Sequence, residues 1–240
     1  MSLDWIQQAK QLFGVDLDEA QKAQFADYEA MLLDWNARFN LTAIREPEAI
    51  RIKHFLDSLS CVLGFPHDLD EPSLIDVGSG AGFPGVPLKI AYPKAFLTLV
   101  ESVKKKAHFC QELVRVLGLR QVLVSSERAE TLGQDWEHRK FYDIALARAV
   151  ANMPTLVEYL LPLVKVGGRA VIQKGGSAHE EADAARNAIR LFGGKLLDIL
   201  PVNLPAVDGE RYLVVIEKIR PTPADFPRPI GIPGKSPVLN

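Results

Sequence analysis

The sequence predicts an α/β protein, a doubly wound and mostly parallel sheet behind a helical segment. Three observations point there. From about residue 74, short apolar runs alternate with helical patterns. A glycine-rich turn follows the first of those runs. Before it, the chain shows only helical spacing of its apolar residues.

Composition narrows the class. The chain has 240 residues, enough for one large domain and an extension. With 48% hydrophobic and 24% charged residues it is not a disordered or fibrous chain. Lys plus Arg is 28 against 30 for Asp plus Glu, so a net charge of -2 leaves room only for a local basic face. Cys61 and Cys110 match no metal or redox spacing, which suits a reducing cytosol. Met1 to Asp4 open no leader pattern, and no apolar stretch approaches the ~18 residues of a membrane span. A soluble, cytoplasmic protein is expected.

The elements follow in order. Leu3 to Phe13 reads as a helix closed by Gly14, and Asp16 or Asp18 opens a second one. Phe25, Tyr28, Leu32, Trp35 and Phe39 step by three and four, one apolar face of a long helix. Residues 1 to 34 hold seven acids and two bases, so this face should not meet phosphate. Pro47 suits the start of a third helix, running to about Leu63, with Ile52, Phe55, Leu56 and Leu59 buried. His54, Asp57 and Ser58 lie close together on it. No strained nucleophile elbow surrounds Ser58, so a hydrogen-bonding group facing a neighbouring site is favoured over a hydrolase triad.

Strands are expected at Leu74 to Val77, Ala95 to Val100, Gln121 to Val124, Tyr142 to Ala147 and Arg169 to Gln173. Helices are expected from Val103 to Leu117, after Pro154, and from His179 to Phe192. Lys195 to Leu200 and Arg211 to Lys218 lack a helix between them, which predicts an antiparallel pair at one edge. The parts expected are a helical cap over 1–66, a sheet domain over 67–220 and an extended, proline-rich tail over 221–240.

The sharpest signal runs from Asp76 to Gly85, reading Asp-Val-Gly-Ser-Gly-Ala-Gly-Phe-Pro-Gly. Glycine permits a tight turn and close approach of a ligand. Glu101 ends the next strand 19 positions beyond Gly82, where a carboxylate can accept from both hydroxyls of a ribose. Two frames compete. Gly80, Gly82 and Gly85 fit the dinucleotide spacing, which would make a nicotinamide-dependent oxidoreductase. The other frame, an acid followed by Gly78, Gly80 and Gly82, is typical of S-adenosylmethionine binding. Asp76 favours the second, because an anion repels pyrophosphate and attracts a sulfonium and an ammonium.

At these residues the chain resembles the glucose-inhibited division protein B (RsmG) family, N7-guanine methyltransferases of small-subunit rRNA. The matching segments are Asn40 to Thr42, Lys53 to Leu59, Asp76 to Gly85, Arg128 to Glu130, Ala147 to Ala149, Leu161 to Leu163 and Gly234 to Pro237. The stretch Val171 to Gly175 matches loosely. The resemblance implies a class I S-adenosylmethionine-dependent methyltransferase fold, a Rossmann-like, seven-stranded, mostly parallel sheet with an N-terminal helical cap. It implies cofactor contacts at Gly78, Phe83, Ala129, Glu130 and Arg148, with Ala129 and Glu130 around the adenine. It also implies 16S rRNA as partner, within the small subunit or a precursor. Nothing in the sequence demands more than a monomer.

Guanine N7 carries a lone pair and no proton, so its attack on a methyl group needs no general base. Positioning then carries the catalysis. No Asn-Pro-Pro-Tyr-like run follows the fourth strand, and no cysteine stands where a pyrimidine-directed nucleophile would. Arg148, ending that strand, is the candidate to hold guanine or phosphate. The competing role is an ion pair with a carboxylate such as Glu130. Arg128 and Lys174, with Lys104, Lys105 and Lys106 at a helix start, are candidates for RNA contact. Arg220, Arg228 and Lys235 in or near the tail could add to them. A non-catalytic rRNA-binding assembly factor is the remaining alternative.

Overall fold

A computed structural model describes residues 4–67 and 69–239; Leu3, placed by the sequence in the first helix, lies outside them. Asp4 accepts from the Ile6 and Gln7 amides to start α1 (Trp5–Phe13), and Gly14 ends it at φ 69°. Asp18 and Gln21 form a capping box at the head of α2 (Glu19–Phe39). Phe25, Tyr28 and Leu32 are buried as their spacing requires. Phe39 departs from the expected stripe. It is 41% exposed, at the very end of α2 where Ala37 and Arg38 are exposed too.

The third helix has the expected extent without the expected regularity. It runs as α3 (Pro47–Ile50), a π turn (Arg51–Leu56), α4 (Asp57–Leu59) and a 3₁₀ turn (Ser60–Gly64). The four apolar residues singled out on it are all buried. π turns concentrate at functional positions, and this one carries His54.

Seven strands form one sheet in the order β3-β2-β1-β4-β5-β7-β6. They are β1 (Ser73–Val77), β2 (Phe96–Val100), β3 (Val122–Ser125), β4 (Tyr142–Arg148), β5 (Val164–Lys174), β6 (Gly194–Pro201) and β7 (Tyr212–Lys218). β1 to β5 pair in parallel, while β7 runs antiparallel to both β5 and β6. The closing pair thus lies at one edge, as its missing helix predicts. The intervening helices are α5 (Gly85–Ala91), α6 (Lys104–Val116), α7 (Ala129–Gln134), α8 (Met153–Leu160), α9 (Ala178–Ala184) and α10 (Arg186–Leu191). The helix expected from His179 to Phe192 is two, broken at Ala185. α7 was not legible, since six residues are too few to show a period.

Alternation along each strand splits the core into two layers. Leu74, Ile144, Leu146, Val171, Leu213 and Val215 pack with α1, α2 and the 47–64 segment. Ile75, Ala145, Ala147, Ile172, Val214 and Ile216 pack with α7 to α10. The cap is therefore one face of the sheet's own core.

The tail differs from expectation. It holds one turn, α11 (Ile232–Lys235), and is fastened along its length. Arg139 donates to the Thr222, Pro223 and Phe226 carbonyls. Thr155 Oγ1 donates to the Pro233 carbonyl at 3.1 Å. Such a stretch leaves carbonyls that no ladder uses, and a guanidinium fork can collect several of them. Among the described residues, no helix is long and apolar enough to cross a membrane, and no group of His, Cys, Asp and Glu could hold a metal ion.

Candidate functional site

The strand order changes direction between β1 and β4, which opens a crevice at their C-terminal ends. Four chain segments reach it: the 78–82 loop after β1, Glu101 after β2, residues 128–130 after β3, and Arg148 at the end of β4. Gly78 has φ 74°, and a Cβ there would stand 2.5 Å from Val150 Cγ2. Gly82 has φ 93°, and its Cβ would stand 2.8 Å from Val86 Cγ2. Both conformation and space exclude a side chain at these two positions.

Carboxylates hold the loop. Glu101 accepts from the Gly80 amide at 2.9 Å and from the Val103 amide at 2.7 Å. Each of its oxygens keeps a second lone pair. Asp76 is fully buried beneath the loop and accepts from the Gly85 amide at 2.8 Å through Oδ2. Its Oδ1 and the Ser79 hydroxyl are buried with no hydrogen-bond partner among the described residues. Burial pushes the Asp76 carboxyl up to about 7, against the opposing pull of the Gly85 amide and Arg148. A buried, half-satisfied carboxyl beneath a glycine turn fits a cationic ligand. The dinucleotide frame is disfavoured, because the buried Asp76 carboxylate beneath the loop would repel a pyrophosphate.

Phe83 is buried at the side of the crevice. Its ring lies between His54, at 4.5 Å and 18°, and Tyr28, at 5.2 Å and 12°. Arg148 Cζ stands 5.0 Å from the centre of the Phe83 ring. The arginine does make an ion pair, but with Asp57 rather than Glu130. Nη1 donates to Asp57 Oδ2 at 3.1 Å and to the Lys53 carbonyl at 3.3 Å. Nη2 meets His54 Nδ1 at 3.1 Å. The reason is strand alternation: Ile144, Leu146 and Arg148 share the cap face. Glu130 instead accepts from the Gly231 amide of the tail at 2.9 Å. Ala129, Glu130, Val100 and Tyr159 line a narrow pocket on the far side of Gly78.

The hydrolase arrangement is absent. Ser58 donates to the His54 carbonyl, and the His54 ring nitrogens meet Thr42 and Arg148. Cys61 and Cys110 are buried free thiols, both pushed up by burial. Arg128, Lys104 and Lys105 are exposed, and Lys106 is half-buried in the cleft that also holds Gly80 and Arg148. Lys174 is a correction. It alternates onto the other face of β5 from the cap and is consumed there, donating to Glu181 at 2.6 Å and to the Ala151 carbonyl at 2.7 Å.

Two residues went unnoticed in the sequence. Arg211 Nη1 lies 3.5 Å from Asp57 Oδ1, so Asp57 is shared by two guanidinium groups. Gln173, paired in register with Arg148, donates to the Asp57 carbonyl at 2.8 Å. Strand alternation from Val171 and Leu213 could have placed both on the cap face.

A family model described as rRNA small subunit methyltransferase G matches residues 21–206. The ribosomal RNA small subunit methyltransferase G of Roseiflexus castenholzii is 52% identical over 228 residues, 95% of this chain and 96% of that protein. Its counterpart in Alkaliphilus metalliredigens is 47% identical over 95% of both chains. Among solved structures, a 16S rRNA (adenine(1408)-N(1))-methyltransferase mutant from Catenulisporales acidiphilia superposes with a TM-score of 0.52. It is 14% identical and covers 64% of this chain and 87% of its own. A precorrin-6y C5,15-methyltransferase from Geobacter metallireducens gives 0.52 at 11% identity, covering 67% of this chain and 87% of its own. Likeness at that identity is likeness of fold.

Proposed function

Because the chain belongs to the rRNA small subunit methyltransferase G family, we propose that it transfers a methyl group from S-adenosylmethionine to N7 of one guanine in 16S rRNA. The donor supplies an electrophilic methyl group on a cationic sulfur. Asp76, Gly78 and Gly80 would hold its charged end, Glu101 its ribose, and Ala129 and Glu130 its adenine, with Phe83 as a wall. Asp76 offers a buried carboxyl with one uncommitted oxygen, which a cationic donor would hold ionised. Arg148 stands at the mouth of the crevice and would orient the guanine or its phosphate. No residue is needed to remove a proton, since N7 has none, so the protein acts by placement. Arg128, Lys105 and Lys106 are the phosphate contacts we favour.

The substrate is the assembled small subunit or a late precursor, and the protein works as a cytoplasmic monomer. Residues 1–66 act as a cap, 67–220 as the catalytic domain and 221–240 as a tail. The observation that supports the reading most is the buried Asp76 beneath the glycine turn, in a chain 52% identical to a named rRNA methyltransferase. The test supplies labelled donor and small subunits from cells that lack the modification. Label should enter 16S rRNA, and the labelled base should be open to N7-specific strand cleavage. No label, or a labelled base that resists that cleavage, sinks the reading.

A further inference from the structure

We infer that His54 and Asp57 of the cap are positioning residues: with the Lys53 carbonyl they clamp the Arg148 guanidinium so that its remaining donors face the substrate. The inference rests on the placement of Arg148 at the substrate proposed above.

An arginine side chain has five N–H donors and no acceptor. Three of those of Arg148 go to the cap, to Asp57 Oδ2, the Lys53 carbonyl and His54 Nδ1. The Arg148 Cζ stands 5.0 Å from the centre of the Phe83 ring. Nε–H and the second Nη2 N–H donate to nothing among the described residues, in a side chain that lines the cleft. A long side chain at a strand end would otherwise sample many rotamers. Here three hydrogen bonds and the contact with the Phe83 ring favour one.

The clamp extends back into α2. Because arginine cannot accept, the His54 nitrogen that faces it must carry a lone pair. The imidazole proton therefore sits on Nε2 and is donated to Thr42 Oγ1 at 2.8 Å. Thr42 Oγ1 also takes the Ile44 amide at 3.1 Å, and the Thr42 amide is held by buried Asn36 Oδ1 at 2.9 Å. A protonated imidazole would lose the acceptor and oppose the guanidinium, and Asp57 is already shared between Arg148 and Arg211.

The test is a double-mutant cycle. His54→Leu is made in the wild-type chain and in Arg148→Ala, and rRNA methylation is assayed at saturating donor. His54→Leu should lower kcat/KM for small subunits roughly tenfold when Arg148 is present and cost nothing further when it is absent. His54→Asn, which can present an oxygen acceptor to Nη2, should recover part of the loss. Equal losses in both backgrounds overturn the clamp and leave His54 a packing residue. A readout independent of activity is the ¹⁵N spectrum of the Arg148 side chain. Separate, slowly rotating Nη signals are expected in the wild type and averaged ones in His54→Leu. Averaged signals in the wild type also overturn it. A wild-type chain that labels no rRNA although Arg148 is fixed overturns the functional reading and not the clamp.

Discussion

The cap and the tail reach the same crevice from opposite faces of the sheet, and they are held there by different forces. The cap is fastened by apolar packing. Trp5, Phe25 and Phe55 meet ring to ring at 4.9, 5.7 and 5.1 Å, inside the layer that covers one sheet face. The tail packs only a few apolar groups, such as Phe226 against Phe192 at 5.0 Å, and is fastened mainly by polar contacts. Arg139 gathers its carbonyls, Glu158 pairs with Arg228, and Glu130 takes the Gly231 amide. Apolar packing is spread over many residues and leaves a period in the sequence. A polar anchor is one residue reaching a few distant partners, and leaves none.

The comparison can be broken most sharply in the cap. Phe55 is 1% exposed and shares its turn with His54. Phe55→Ala should cost about 3–5 kcal/mol in chemical denaturation, through lost transfer energy and a cavity. A loss under about 1 kcal/mol would make the cap a separate lobe and not a face of the core.

The tail should answer to charge instead. Glu158 is fully buried, with Arg228 bonded to both of its oxygens and its own amide bonded to one. Arg228→Met leaves that carboxylate without its partner, at an expected cost of about 3 kcal/mol. Hydrogen exchange should rise over 222–236 and stay unchanged over 5–39. Faster exchange in the cap as well would erase the distinction between the two regions.

Between the two regions lies Asp76, whose carboxyl is pushed up to about 7 by burial. Without donor, its folded-state value stands above its unfolded one. The stability it contributes is therefore fully present below about 4 and is lost as pH rises through about 7, at about 1.4 kcal/mol per unit. If the carboxylate holds the donor's cationic end, as proposed, affinity should weaken as pH falls from 8 to 6, read by calorimetry. Asp76→Asn should bind weakly at both values. A variant that keeps the wild-type pH dependence would remove Asp76 from the donor's site.

The smallest expected effect is at the seam of cap and loop. Tyr28 donates its hydroxyl to the Ala81 carbonyl while its ring stacks on Phe83. Tyr28→Phe keeps the stack and loses the hydrogen bond, for about 1 kcal/mol in denaturation. A loss as large as that of Phe55→Ala would mean that hydrogen bonding, and not packing, secures the cap.

Much of the layout of the candidate site could be read from the sequence because its parts are local. The glycine turn, Asp76 and Glu101 sit where one strand ends or the next begins, so spacing alone places them. The π turn, the break at Ala185 and α7 could not be read, since each is a short departure within an otherwise ordinary helical or loop pattern. Lys174 and Arg148 look alike as basic residues at strand ends. They part because the alternation of side chains along β5 sends one toward α9 and that along β4 sends the other toward the cap.

What the linear chain determined by itself was the alternating architecture, the glycine turn and the charge beside it, because periodicity and turn chemistry act over a few neighbouring residues. Which donor each carboxylate meets was decided only by the tertiary structure. Asp57 stands 91 positions from Arg148, and Glu130 101 positions from Gly231. Pairings at that separation depend on which sheet face each element covers, and no local pattern records that choice.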